Sequence, residues 1–248
     1  MNLEQDFLDQ RGITGYTYEK QFVSKKNRVH LARALYEDGS TQNFVIKEYL
    51  YNHRSIQREA DILEGLYSKG ISVPRLYYRG EGTIVMEYIK GSALLDIMTD
   101  AEYIAGESID YINVKGMAFH VSRWLERFYK AAERITGKKT ILWDINLRNF
   151  IVGYKLYGID FEDCREGAVE EDMGRLTAYI VTYEPAFTPY KMQFAREVLS
   201  ALGSRMPLDS DQVLSEIVKE LDAIGERRGM EIPGDIAERI MAEDLSEL

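Results

Sequence analysis

The periodicity of the apolar residues changes once along this chain, and that change limits the fold more than any other feature. Up to residue 90 the pattern is one of short runs of strand formers at 17–22, 30–36, 42–49, 74–79 and 83–88. Between them lie the polar loop Val23-Ser24-Lys25-Lys26-Asn27-Arg28, the turn Glu37-Asp38-Gly39-Ser40 and the turn Gly80-Glu81-Gly82. One helical segment interrupts these runs. Ser55 precedes Ile56, Ala60, Leu63 and Leu66 at helical spacing, and Gly70 fits the position just past a helix end. From Leu94 to about Thr136 the period is mostly helical, with Phe119, Trp124, Leu125 and Phe128 as expected core. Residues 173–181, 191–202 and 211–224 continue it, the last with an apolar stripe of Val213, Leu214, Ile217, Val218 and Leu221. Strands followed by helices predict an α+β chain. The expectation is a five-stranded antiparallel sheet plus one helix in 1–90, a mainly helical part in 91–248, and a boundary at Gly91.

Composition removes several classes of function. The chain has 248 residues, 45% hydrophobic and 29% charged, the profile of an ordinary globular protein able to bury about 70–75% of its unfolded surface. No apolar run approaches the roughly 18 residues of a membrane span, and Met1 to Asp6 has neither a basic region nor an apolar core. Secretion and membrane insertion are therefore not expected, and a cytoplasmic address follows by inference. A single cysteine, Cys164, excludes an internal disulfide, and with three histidines a Cys/His zinc site is not expected. Of the net charge of −10, most falls after residue 205, where twelve acids face four bases. Nucleic acid is disfavoured as a partner, because its binding depends on Lys and Arg neutralising phosphates. Those acids read as solvated helix faces, with an acidic wall for a cationic substrate as the other reading.

The chemistry concentrates in Asp144-Ile145-Asn146-Leu147-Arg148-Asn149, followed by a short hairpin and then by Asp160-Phe161-Glu162. Phe150-Ile151-Val152 and Lys155-Leu156-Tyr157 are strand-forming runs around Gly153-Tyr154. If Val152 pairs with Lys155, Asn149 faces Gly158, and Asn149 and Asp160 both sit at the open end of the ribbon. Two hard oxygen donors there suit Mg²⁺, which takes one or two protein carboxylates beside substrate phosphate. Asp144 lies in the loop before the hairpin, close enough to address the same phosphate. This is the spacing of a metal-dependent phosphoryl-transfer site.

Taken in order, these segments resemble the protein-kinase-like superfamily over most of the chain. Val45-Ile46-Lys47 is similar to the strand lysine that contacts the α- and β-phosphates, and Glu59 to its partner on the following helix. Asp61 and Glu64 point away from the apolar face of that helix. Val85-Met86-Glu87-Tyr88-Ile89-Lys90-Gly91 resembles the hinge, whose carbonyl at Glu87 and amide at Ile89 would hold adenine. The resemblance implies a two-lobed fold, ATP and Mg²⁺ as cofactors, Asp144 as the residue that positions the acceptor, Asn149 and Asp160 as metal ligands, and Asp172 as support for the catalytic loop.

Departures narrow the branch. Leu142-Trp143 stands where protein kinases carry His-Arg, Asn146 where they carry lysine, Glu162 replaces the glycine of D-F-G, and the glycine-rich phosphate loop is missing. In place of that loop, 24–28 reads as a basic surface turn, or as a phosphate cradle. Only twelve positions separate Asp160 from Asp172, too few for a peptide-docking activation segment. A small hydroxylated acceptor is expected, as in aminoglycoside, choline-like and lipopolysaccharide sugar kinases. A compact RIO-like kinase with a protein substrate and a nucleotide-binding pseudokinase are the competing readings.

Overall fold

The protein is described from a computed structural model covering residues 3–50, 53–105 and 111–242. The part of the expected 94–136 helical stretch that falls on 106–110 lies outside the described residues. The chain forms two compact units: Met1–Lys90 together with Asp160–Asp163, and Gly91–Ile159 together with Cys164–Leu248. The segment carrying Asp160 and Glu162 thus packs with the first unit, although in sequence it follows the hairpin of the second.

In the first unit β1 (Ile13–Phe22), β2 (Asn27–Tyr36), β3 (Thr41–Tyr49), β4 (Leu76–Arg79) and β5 (Thr83–Glu87) form one antiparallel sheet in the order β1-β2-β3-β5-β4. Helix α2 (His53–Ser68) lies between β3 and β4 in sequence. Its apolar stripe of Ile56, Ala60, Leu63 and Leu66 is buried, while Asp61 turns outward to pair with Arg79 at 3.2 Å. Gly70, at φ 70°, ends the helix, with Ile71 N–H donating to the Leu66 carbonyl and Gly70 N–H to that of Tyr67.

The structure adds a short helix, α1 (Gln5–Arg11), that periodicity does not announce. A helix this short is unstable alone. Tertiary contacts hold it: Phe7 is buried with Leu3, Phe44, Ile46, Ala32, Ala34 and Val85, its ring centroid 5.7 Å from that of Phe44. The register pairs Lys47 with Val29 on β2 and with Ile84 on β5, and Val45 with Leu31 and Met86. Directly opposed residues share a face. Lys47 therefore lies on the face bearing Val29, Leu31 and Val45, opposite the one α1 covers.

The second unit is mainly helical. It contains β6 (Ser92–Ala93), α3 (Leu94–Ala105), α4 (Tyr111–Thr136), β7 (Thr140–Ile141), β8 (Phe150–Val152), β9 (Leu156–Gly158), β10 (Arg165–Glu166), α5 (Val169–Thr182), α6 (Pro189–Gly203), α7 (Ser210–Arg228) and α8 (Ile236–Met241). Val213, Ile217 and Leu221 are buried on α7, whereas Val218 is 40% exposed, since it falls one position off the inward stripe. Phe119 is also corrected. It is 44% exposed and lies under the Arg205 guanidinium, because the buried face of α4 runs through Ala118, Val121, Leu125, Phe128 and Ala132.

The β8–β9 hairpin rests on this core. Trp124 stacks on Phe128, and its edge meets Phe150 at a centroid distance of 5.2 Å. Gly158 packs so closely on the indole that an added Cβ would come within 2.1 Å of Trp124 Cζ2. Gly158→Ala should therefore destabilise the protein by about 1–3 kcal/mol through overpacking, read as a lower urea midpoint at unchanged slope; an unchanged midpoint would refute the contact. The expected hairpin register is shifted by one residue. Gly153 N–H bonds to the Lys155 carbonyl, which takes Lys155 into a three-residue loop, and Val152 pairs with Leu156. Asn149 consequently faces Ile159, whose N–H donates to its carbonyl at 2.9 Å, rather than Gly158.

Candidate active site

Within the first unit, β3 delivers Lys47 to a buried cluster of acids. Its side chain is 5% exposed, with Nζ 2.7 Å from Glu59 Oε2, 2.6 Å from Asp160 Oδ1 and 3.2 Å from Glu162 Oε2. Glu59 comes from the inward stripe of α2 and also accepts from Tyr49 OH and from the Phe161 N–H. Asn27 Nδ2 donates to Glu162 Oε2 at 2.6 Å. Burial by itself pushes the Lys47 pKa down, but Glu59, Asp160 and Glu162 outweigh it and hold the ammonium well above its ordinary value. Asp160 sits at φ 65°, a left-handed conformation that costs a non-glycine residue about 1–3 kcal/mol and concentrates at functional positions.

The oxygens of Glu59, Asp160 and Glu162 lie within 4.8 Å of one another. All three are hard donors of the kind Mg²⁺ takes. They are not equivalent, however: Glu59 and Glu162 are buried, and the Asp160 side chain is 35% exposed. Asp160 is the acid of this set that can meet a metal arriving with solvent and phosphate.

At the far end of β5, the Glu87 N–H donates to the Arg75 carbonyl at 2.8 Å, and its carboxylate accepts the Arg75 N–H at 3.2 Å. A cavity of about 500 Å³ opens there, lined by Arg33, Thr41, Gln42, Asn43, Tyr77, Glu87 and Tyr88. Ile89 is half-buried beyond it. Val29, Leu31 and Val45 are also half-buried, an apolar strip running from this end of the sheet towards Lys47.

Within the second unit, residues 142–149 alternate between anchors and presented groups. Leu142, Ile145 and Leu147 are buried, while Asp144, Asn146 and Asn149 are half-buried. Asn149 Nδ2 donates to the Asp144 backbone carbonyl at 2.8 Å, and the Asn146 side chain accepts the Arg148 N–H at 3.0 Å, so both asparagines shape the loop around Asp144. Asp172, fully buried on α5, accepts from the N–H groups of Leu142 at 2.8 Å and Trp143 at 2.9 Å and from Tyr129 OH at 3.0 Å. The loop also has a brace on Trp143. Arg165 and Arg175 lie 2.9 and 3.3 Å from the Trp143 ring centroid. Two guanidinium groups that close must occupy opposite faces of the indole. Glu171 pairs with Arg165 and Glu220 with Arg175, both at 3.1 Å.

Burial pushes the Asp172 carboxyl up to about 6, even though the Leu142 and Trp143 amides, Tyr129 and Arg175 favour its charged form. The folded value exceeds the ordinary carboxylate value of about 3.9. The native chain therefore holds this proton more tightly than the unfolded one, and the residue's contribution to stability falls as pH rises from about 4 to about 6. Protonation also converts one accepting oxygen into a donor, which cannot serve the backbone amides it faces. Urea unfolding of the wild type and of Asp172→Asn between pH 4 and pH 6 checks this pH dependence: the wild type should lose stability relative to the variant as pH rises, and a constant difference would count against it.

The sequence matches no protein-family model and no curated protein. Among solved structures it is similar to the amicoumacin kinase hAmiN, determined in complex with AMP-PNP, Ca²⁺ and Ami, with a TM-score of 0.55 over 96% of this chain and 93% of that one. The chain has a kinase-like fold. At 13% identity the similarity is one of fold.

On this fold the first unit gathers Lys47, Glu59 and Asp160, with Glu87 and Ile89 at the end of its sheet, and the second gathers Asp144, Asn149 and Asp172. Sequence reasoning passed over several of the residues now found among them. Glu162 stands out from the sequence only as a departure from D-F-G, yet it faces Lys47. Asn27, Tyr49, Tyr129, Arg165 and Arg175 carry no sequence signal at all, because each acts through a partner more than thirty residues away or from an ordinary helix or strand position. Cys164 is buried. Among the described residues no helix is long and apolar enough to cross a membrane.

Proposed function

We propose that the protein is an ATP- and Mg²⁺-dependent phosphotransferase that moves the γ-phosphoryl group to a hydroxyl of a small molecule. The observation that carries this reading is the set of bonds on Lys47: a buried strand lysine held by a helix glutamate and by Asp160, the acid that follows the Asp144–Asn149 loop and the β8–β9 hairpin in the chain. In it, Lys47 orients the α- and β-phosphates while Glu59 fixes the ammonium. The Glu87 carbonyl and Ile89 N–H receive adenine beside the cavity at the end of β5, and the half-buried Val29, Leu31 and Val45 give the base an apolar surface. The structure of hAmiN with AMP-PNP and Ca²⁺ supports a nucleotide and a divalent ion on this fold.

Asn149 and Asp160 would hold the metal. With its amide donated to the Asp144 carbonyl, Asn149 has its side-chain oxygen left to coordinate. When bound, Mg²⁺ supplies charge neutralisation at the phosphates. Asp144 accepts the proton of the acceptor hydroxyl and aims its oxygen, and Asp172 keeps the backbone before Asp144 in place. Little covalent chemistry falls to the protein, so alignment and charge account for most of the rate.

Two features support a small acceptor. The residues between Asp160 and Asp172 are tied down by β10, whose Arg165 and Glu166 pair with Ile141 and Thr140 of β7, leaving no length for a peptide platform. The hAmiN kinase is also named for a small molecule, amicoumacin. The test is transfer of radiolabelled γ-phosphate in Mg²⁺ to a panel of sugars, aminoglycosides and choline-like alcohols. Transfer to one of these, abolished by chelation, is the expected result. Transfer to protein alone would replace the reading with a RIO-like kinase, and nucleotide binding without any transfer would replace it with a scaffold.

A further inference from the structure

The turn between β1 and β2, residues 23–26, holds no glycine and cannot bring bare backbone against a phosphate chain. It holds a cation instead. Lys26 Nζ lies 2.5 Å from Asp163 Oδ2 and 3.9 Å from Glu162 Oε1. The other oxygen of the same Glu162 carboxylate is 3.2 Å from Lys47 Nζ. One carboxylate therefore has an ammonium at each oxygen: the first buried and rigidly held, the second on a side chain that is 60% exposed. The adjoining backbone is ordered, since the Asn27 N–H donates to Ser24 Oγ at 3.2 Å and its side chain to Glu162 at 2.6 Å. The turn is thereby latched to the segment that carries Asp160.

We propose that Lys26 is a second polyphosphate-binding cation, which exchanges Asp163 for the terminal phosphate of a nucleoside triphosphate and stands in for a glycine-rich loop. This rests on the nucleotide reading of Lys47 and adds a residue to it. The exchange is physically easy. An ion pair this exposed contributes little to stability, and a triphosphate carries more charge and more acceptor oxygens than the single carboxylate it displaces, so charge-assisted bonding favours the nucleotide. Lys47 cannot make such an excursion, because three acids hold it in a buried site. Lys26 is instead a long, solvated arm anchored beside it.

The proposal predicts opposite signs for its two partners. In the full chain with Mg²⁺, Lys26→Ala should weaken ATP binding by ~10-fold and ADP binding by less, with Lys26→Arg close to wild type. Asp163→Asn should tighten ATP binding by a few-fold, because it removes the group that competes for the ammonium. Isothermal titration with ATP and ADP reads all of these, and circular dichroism confirms that each variant folds. If the Lys26–Asp163 pair were only a structural latch, both substitutions would weaken binding together, and that result would overturn the proposal, as would equal affinity in all variants. Absence of ATP binding by the wild-type chain would overturn the phosphotransferase reading along with it, whereas wild-type binding with the wrong pattern of signs overturns the Lys26 assignment alone.

Discussion

Replacing Asp144 with alanine is expected to lower phosphoryl transfer by roughly 10²- to 10⁴-fold, the usual cost of losing a positioned general base, with ATP affinity close to wild type. The two effects separate because the structure divides the work. Asn149 bonds to the Asp144 main-chain carbonyl, which alanine keeps, and the Leu142 and Trp143 amides are held by Asp172 on another element. The Asp144 carboxylate accepts from Asn146 Nδ2 at 3.4 Å, a long bond, and the backbone bonds of the loop remain when it is removed. The Lys47 cluster contains no atom of Asp144 and keeps its geometry. Single-turnover rates at saturating ATP measure the first effect and titration calorimetry the second. Turnover within a few-fold of wild type would remove Asp144 from the chemistry, and a parallel collapse of ATP binding would make it a structural residue.

Replacing Lys47 with methionine should have the largest effect on stability. The substitution keeps most of the volume and apolar stem of the side chain, but leaves Glu59, Asp160 and Glu162 facing one another without their cation. Removing one partner of a buried ion pair costs about 3–5 kcal/mol, because the remaining charge is desolvated and uncompensated. The penalty should depend on pH in a definite direction. Burial, with the nearby Asp160, already holds the Glu59 pKa above its ordinary value against the pull of Lys47; in the variant that pull is gone, so the folded chain takes up a proton at Glu59 as pH falls and regains stability. The gap between wild type and Lys47→Met should therefore narrow from pH 7 to pH 5, and the further change Glu59→Gln should recover part of the loss at pH 7. Urea unfolding at several pH values tests both statements. A gap independent of pH would mean that lost packing, not charge, explains the destabilisation.

The fold was readable at the level of elements because each long element carries its own periodicity. The alternation of β3 and the stripe of α2 each bury a predictable set, so Phe44, Ile46, Ala60 and Leu63 could be placed inside from the pattern of their own segments. Reading failed where a neighbour, not a period, decides. Phe7 is buried because Phe44 and Tyr78 lie beside it, and nothing within residues 5–11 says so. Phe119 is a large aromatic residue on a helix, but it sits on the face away from Leu125 and Phe128, where an arginine from after α6 lies over its ring. The hairpin register slipped by one position because a two-residue and a three-residue loop are both compatible with Gly153-Tyr154, and a single backbone bond to Lys155 selects the longer. That slip sets Asn149 opposite Ile159, the residue that precedes Asp160.

The candidate site divides along the same line. Residue type and spacing along the chain offer Asp144, Asn149 and Asp160 as candidates, because phosphoryl transfer asks for a few oxygen donors in a limited order; Lys47 and Glu59 come from the resemblance to the kinase-like superfamily. How many acids meet Lys47 is another matter. Glu162 reaches it across more than a hundred residues of chain and is itself bonded by Asn27 across a similar span, and the Arg165–Trp143–Arg175 stack joins three segments that no motif links. A one-dimensional pattern records what a segment does with its own backbone. Burial, desolvation and the balance of charge around an ammonium depend on everything that packs within a few ångströms, and those neighbours exist only once the chain has folded.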